Sequence, residues 1–474
     1  MVIKPQKPYY NIDPVSKQIV SDAIYDGYRD ETDSLCSRFG LREFTDLATG
    51  LPGDGLFWWD KLNKPVAVSG GKAFTFDKYG VVSELTGPAL NQGTPTVFAA
   101  GQKIDNSAIL FCCNGKNLNY STGHEFTQVG SPAPQNSTHV IYQGLRFLGN
   151  EKDTARFYFS DIDPETGEFD PTYWAATENP LTGDTRGDNI LGLYQAWEDA
   201  AVWGSDGREL WQETGGEPPI EMRRGSFCDA GLIAPYSVKR ADNTFFALCT
   251  VDEKPAVVRL VGNDPQVISL DIERVLDNFS TLANAIGDVI SIGGQSFYIL
   301  TNEGQTWAYN IKKQEWYRWS WWNKHYAERE AFLGRHFIFA KAWGKHLCQS
   351  RVDGKIYEVV SDATSDNGNL IATEWVTGWA DGGTTEEKVL AWLRIHLKRA
   401  QGNTAGSEPV MVFKYRNNGK QEWSNERQIS LGKQGQYEFY KTLHSLGQFR
   451  SRQFSLRMTD AANLVFAGIE MEFS

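Results

Sequence analysis

Apolar and polar side chains alternate over short runs through the first three quarters of the chain, and a turn containing glycine bounds each run. In Lys72-Ala73-Phe74-Thr75-Phe76 the large apolar residues Phe74 and Phe76 stand two apart, which places them on one face of a strand, and Glu209-Leu210-Trp211-Gln212 is a short strand-like apolar run of the same kind. The phrase of turn, alternating strand and second turn recurs clearly at residues 70–80, 114–123, 206–215, 303–316 and 353–360, and more weakly from Thr166 and from Glu253. The turns fall near positions 71, 115, 167, 207, 255, 304 and 354, at intervals of 40 to 52 residues. A period of that length predicts a β-propeller, whose four-stranded repeats cannot bury their own faces and must stack on neighbours. Seven signals predict seven blades. Helical spacing is scarce; the best case is residues 271–279, where Ile272, Leu276 and Phe279 share a face and Asp271 is placed to cap the first turn.

The pattern divides the chain into three parts. Residues 1–50 read as an extended, polar N-terminal arm and lead-in, residues 51–362 as the propeller, and residues 370–474 as a second β domain. Between the last two, residues 361–369 form a polar, turn-rich linker. Beyond it Leu393, Ile395 and Leu397 alternate with Arg394, His396 and Lys398, and Met411, Phe413 and Tyr415 alternate with Val412, Lys414 and Arg416 before an Asn417-Asn418-Gly419 turn. Phe454, Leu456 and Met458 follow, and the chain closes with Val465, Ala467, Ile469, Met471 and Phe473 against outward Glu470 and Glu472. Strands with turns and without helices predict a β-sandwich. The fold class is therefore all-β: a seven-bladed propeller followed by a C-terminal sandwich.

Composition supports packed cores. Aromatic residues make up 13% of the 474 residues, with 16 Trp, and the 45 Gly are dispersed among turns. The charge is uneven: residues 381–474 hold 13 Lys or Arg against 10 Asp or Glu, a net of +3, which leaves −15 for the rest of a chain at −12. A sequence-reading nucleic-acid binder needs a basic stripe to neutralise phosphates, and this balance argues against one. Neither a signal-peptide core nor a stretch of about 20 apolar residues is present, so no membrane insertion is expected.

Candidate chemistry is sparse. The six cysteines, Cys36, Cys112, Cys113, Cys228, Cys249 and Cys348, lack metal-binding spacing and read as buried reduced thiols, with Cys112 and Cys113 on opposite faces of one strand. The turns 301–307 and 205–211 approximate the Asp-box of sialidase-type propellers, each short of the full spacing, and such boxes are structural corners around a Trp. Carboxylate pairs such as Glu386-Glu387 and Asp161-x-Asp163 are expected by chance among 59 acidic residues. The loop 161–167 lacks the alternating ligands of an EF-hand. His336 and His346 flank Cys348 without zinc spacing, and the seven histidines are otherwise scattered. No catalytic, metal or cofactor site is assigned, and no cofactor is expected. In the aromatic run 315–322, Trp316 and Trp319 are expected to plug a gap between blades, with an interaction surface as the alternative.

An ordered set of segments then carries a resemblance. Residues 201–215, 231–238 and 242–246, Arg259, residues 267–276, 309–316 with Trp319, 353–357 and 468–472 together resemble the tail-hub proteins of short-tailed phages, the packaged-DNA stabilisation proteins. The match runs from about residue 185 to the end and more weakly through Phe39-Gly40-Leu41. The resemblance implies a virion component without a catalytic site. It implies a ring, typically a hexamer, below the portal and its head-to-tail adaptor ring. That ring would extend the DNA channel, contact DNA without reading sequence, retain the packaged genome and carry a tail needle, tailspike or fibre. It also implies assembly in the host cytoplasm. The first 180 residues match loosely, so the contact surface for adaptor or fibre is not carried over. Two other readings stay open at this level: a propeller-type protein-interaction module, which would lack the Gly-His and Trp-Asp signatures of WD repeats, and a sialidase-like glycosidase.

Overall fold

A computed structural model describes residues 1–12, 21–130, 133–174, 181–183, 187–216, 218–401, 408–432, 440–460 and 462–473. The alternating runs form strands, and the strands form antiparallel meanders. Blade 1 takes Gly53–Trp59, Lys64–Ser69, Lys72–Phe76 and Val82–Leu85. Blade 2 runs from Val97–Gln102 through Ala108–Cys113 and Asn119–Ser121 to Phe126–Gln128, and blade 3 from Val140–Gln143 through Arg146–Asn150 and Arg156–Ile162 to Phe169–Trp174. Blade 4 uses Gly192–Ala196, Asp199–Trp203, Arg208–Glu213 and Ile220–Met222. In blade 5 the innermost strand is split into Gly231–Leu232 and Lys239–Ala241, ahead of Thr244–Val251, Lys254–Val261 and Asp264–Val267. Blade 6 comprises Ile286–Ile292, Gln295–Asn302, Gln305–Asn310 and Glu315–Asn323.

Six blades, not the seven expected, are complete within residues 51–362. The signal at position 354 lies in a sheet with only three strands of its own, Gly334–Ala340, Lys345–Ser350 and Lys355–Val360, and its outer strand is Gly40–Asp46 from the N-terminal part of the chain. This composite sheet sits between blades 6 and 1 and closes the ring. The recurrent turns are the second hairpin of each sheet, except that the one at 167 joins the third and fourth strands of blade 3.

Apolar side chains fill the gaps between sheets. Cys112 packs with Leu110 and Val68 toward blade 1, while Cys113 packs with Phe111 and Phe147 toward blade 3, so the two thiols do point to opposite faces. Trp316, fully buried, fills the gap to blade 5 and donates its indole N–H to the Ile268 carbonyl at 2.7 Å. The expected helix is shorter than its pattern: a 3-10 turn Leu270–Ile272 leads into Glu273–Leu276, and Asp271 does not cap it. Its carboxylate pairs instead with Lys7 at 2.7 Å, and its carbonyl accepts the Tyr10 N–H.

The sandwich is joined to the propeller rather than appended to it. One of its sheets, Ala23–Tyr25, Glu374–Val376, Arg452–Met458, Val410–Asn417 and Arg427–Ser430, continues blade 6 through a parallel pairing of Tyr25 with Arg318. The other is built on the long antiparallel pair Lys388–Gln401 and Asn463–Phe473, with Val2–Ile3, Gly27–Arg29 and Leu35–Ser37 alongside. Leu393, Ile395, Met411, Phe413, Phe454, Leu456 and Met458 are buried as their alternation predicts. In the last strand a register shift intervenes, so Phe466 turns inward and Val465 and Ala467 are only half-buried, whereas Ile469 and Met471 keep the expected face.

Residues expected to form an arm and a linker are the pins of this junction. Arg38, with no exposed side-chain surface, donates to Asp26 at 3.1 Å and to Asp366 at 2.5 Å. Arg329 pairs with Asp26 and, at 3.0 Å, with Glu374 of the sandwich. Asp366 lies inside the expected linker, in a short hairpin that pairs with Leu41. A polar segment is held there because its charge has buried partners, a condition invisible to local composition.

Candidate functional site

The turns and clusters singled out in the sequence serve the fold. Glu303 accepts the Ser280 and Thr281 backbone N–H groups at 3.0 and 2.8 Å, and Trp307 of the same turn lies in the core with Tyr10 edge-on at 4.7 Å. The Asp206 backbone N–H donates to Asp188 at 2.9 Å, and Trp211 packs between blades 3 and 4. Asp161 pairs with Arg146, and Asp163 accepts the Glu165 N–H at 2.9 Å, which closes the loop on itself. Glu386 and Glu387 are exposed. His346 rests on Phe339 at 4.6 Å while His336 and Cys348 are buried elsewhere in the sheet, and no group of three or more potential metal ligands converges among the described residues. All six cysteines are free.

The concave site of the molecule is the channel that the innermost strands surround. Two chambers lie along it. One, of about 510 Å³, is lined by loop residues including Asn91, Thr94, Asn114, Lys152, Asn189 and Asn284. The second, of about 480 Å³, is lined by Leu56, Phe57, Phe98, Phe245, Lys239 and His336 among others. Pro95, Tyr236 and Ile286 border both.

The split strand of blade 5 makes this division. Pro235 lacks a backbone N–H, which removes a ladder donor, and the chain turns through a 3-10 segment Pro235–Ser237 that carries Tyr236 into the channel. Tyr236 stacks on His139 of blade 3, centroids 5.4 Å apart and planes 18° from parallel. His139 is fully buried, and burial pushes its imidazole down to about 4, so it is neutral at pH 7. Its Nε2 meets the Tyr194 hydroxyl at 3.0 Å and its Nδ1 meets the Thr138 hydroxyl at 3.0 Å. The Tyr194 hydroxyl also donates to the Pro235 carbonyl, and the Thr138 hydroxyl also donates to Asn150 Oδ1 at 3.2 Å. One hydrogen-bonded chain thus links blades 3, 4 and 5 across the channel.

The opposite wall is charged. Asp54 accepts Arg335 at 3.1 Å and the Gly93 N–H at 3.1 Å, and burial raises its carboxyl above the usual range. Asp288, also raised by burial, accepts the His336 backbone N–H at 3.0 Å. His336 sits at φ 54 within a bulge of its strand, with its imidazole depressed by burial and its Nε2 buried without a partner. Of these channel residues only His336 was weighed from the sequence, as a metal candidate beside His346 and Cys348; the others were not singled out. The one usable signal was Pro235 in a run that otherwise reads as a strand.

Residues 380–474 match the family model described as the β-sandwich of bacteriophage P22 Gp10. No curated protein matches the chain. Among solved structures, the extracellular domain of the putative one-component system BT4673 from B. thetaiotaomicron is 10% identical at TM-score 0.43, with 93% of this chain and 62% of that chain covered. This chain thus spans less than two thirds of that structure's length. The N-terminal domain of Nup159 is 11% identical at TM-score 0.39, with coverages of 72% and 99%, and the Neurospora crassa Pan2 WD40 domain 9% identical at 0.37, with 70% and 97%. The sandwich match supports a phage tail protein of the short-tailed type and a place in the virion. Among the described residues no helix is long and apolar enough to cross a membrane.

Proposed function

We propose that this protein is the hub or nozzle of a short phage tail, a ring-forming virion component that continues the DNA channel below the portal and adaptor and retains the packaged genome. The observation that carries this reading is the match of residues 380–474 to the P22 Gp10 sandwich, in a domain whose sheet is continuous with propeller blade 6. The acidic excess of the first 380 residues fits a conduit, since a negative wall repels phosphate and lets DNA slide without being gripped. A closed ring needs two different complementary faces on each subunit. The net positive sandwich and the acidic propeller supply opposite signs for that contact. In this reading the ring is a hexamer that binds the adaptor on one side and a needle, tailspike or fibre on the other, is assembled in the host cytoplasm, and has no catalytic turnover. Deleting the gene should yield heads that package DNA and then lose it, with the protein visible as a ring at the portal vertex of wild-type particles by electron microscopy. Mutant heads that stay full would remove the retention role, and particles without the protein at that vertex would remove the hub reading.

A further inference from the structure

The second chamber of the propeller channel carries a half-buried positive charge without an ion-pair partner. Lys239 lines it, half-buried, and forms no ion pair or hydrogen bond among the described residues. Arg335 is held by Asp54 at 3.1 Å, Arg240 lies over the ring of exposed Trp197 at 4.8 Å, and the Asp288 carboxylate accepts the His336 N–H. His139 is neutral and uses both ring nitrogens. The His336 Nε2, nine-tenths or more buried, has no partner. Leu56, Phe57, Phe98, Val238 and Phe245 give the wall its apolar part, beside the polar Thr96 and Gln195. A volume of about 480 Å³ with an apolar wall and few polar groups is the form of a small-ligand pocket.

We propose that this chamber binds a carboxylate carried on an apolar body, with Lys239 as the counter-ion and the phenylalanines as the seat of the apolar part. A carboxylate matches the half-buried Lys239 ammonium, while Arg240, the other cation of the lining, is exposed and lies over Trp197. A phosphate has no apolar body to occupy the part of the chamber lined by Phe57, Phe98 and Phe245. The carboxylate comes either from a free organic acid or from an extended peptide end, and the two share this chemistry. The inference stands on the chamber alone and does not depend on a tail role.

Isothermal titration calorimetry on the full chain tests it with four probes: 3-phenylpropionate, 3-phenylpropionamide, the tripeptide Gly-Leu-Phe as free acid, and inorganic phosphate. At least one of the two acids is expected to bind about tenfold or more tighter than the isosteric amide, a difference of about 1.4 kcal/mol. Preference for phenylpropionate would mark a free acid as the source, and preference for the tripeptide a partner's chain end. Binding should vanish in Lys239→Met and return in part in Lys239→Arg, with circular dichroism checking that each variant folds. If Lys239→Met does not fold, the acid–amide comparison on the unaltered protein still decides. Equal binding of acid and amide, tighter binding of phosphate, no binding of either acid, or full binding by folded Lys239→Met would each overturn the proposal.

Discussion

Asp288 shows how a single buried group sets a measurable property of this protein. Its carboxyl is enclosed between blade 6 and the composite sheet, and burial raises it from its ordinary 3.8 although Lys239 pulls the other way. A raised folded-state value means that the folded chain holds this proton more tightly than the unfolded chain does. The resulting stabilisation is fully present below the ordinary value and is lost as pH rises through the raised one. Asp288→Asn keeps the acceptor for the His336 N–H but removes the titration. Urea denaturation of both proteins should therefore show the unaltered protein gaining stability relative to the variant as pH falls from about 7 to about 4. Parallel profiles would mean that the carboxyl is not perturbed in the fold. Residue-level alternation was the most legible feature of the sequence: it placed Cys112 and Cys113 on opposite faces and put Leu393, Ile395, Met411 and Phe413 in the core. It failed at Phe466, because a register shift depends on the partner strand and leaves no mark in the strand that shifts.

At the scale of elements, closure of the ring was hidden for the same kind of reason. Gly40–Asp46 has a burial pattern with two inward residues followed by exposed and intermediate ones, far from clean alternation, and it pairs with residues more than 300 positions away. Local pattern finds hairpins, whereas this contact is set only by the geometry of a nearly complete ring. Leu41 is 2% exposed and lies in the core shared with Val359 and Trp319. Leu41→Ala should cost about 2–5 kcal/mol in chemical denaturation, the range for removing a buried leucine side chain. Native-state hydrogen exchange should show the loss concentrated in amides of Lys355–Val360 and its neighbour strand Lys345–Ser350. Uniform acceleration over all the blades, or none, would show that the strand is not the clasp. The split inner strand of blade 5 was legible only as a proline. That it carries Tyr236 onto His139 depends on blade 3 across the channel, and this is why the candidate site was not read from the sequence.

At the scale of the whole molecule, the sequence separates a propeller from a sandwich by a change of period and a polar stretch, and the structure joins them. A single buried cluster runs from Phe297 and Trp319 of blade 6 through Leu41 and Val359 of the composite sheet to Leu393, Phe413 and Phe454 of the sandwich. Within it the buried charges Arg38, Asp26, Asp366, Arg329 and Glu374 connect the N-terminal strands, blade 6, the stretch after the composite sheet and the first sandwich strand. Two units that share a sheet, a core and a charge network have no low-cost way to unfold separately. Calorimetry should therefore record one transition for the full chain, with the calorimetric and van't Hoff enthalpies in agreement. Arg38→Met strands the Asp366 carboxylate in the interior and leaves Asp26 with Arg329 alone, and breaking a buried pair in this way costs roughly 3–5 kcal/mol. If the coupling is as described, the variant shifts the entire transition to lower temperature. Two resolved transitions in the unaltered protein, or a variant that moves only part of the heat absorption, would show instead that the sandwich and the propeller are independent bodies and that the network is local.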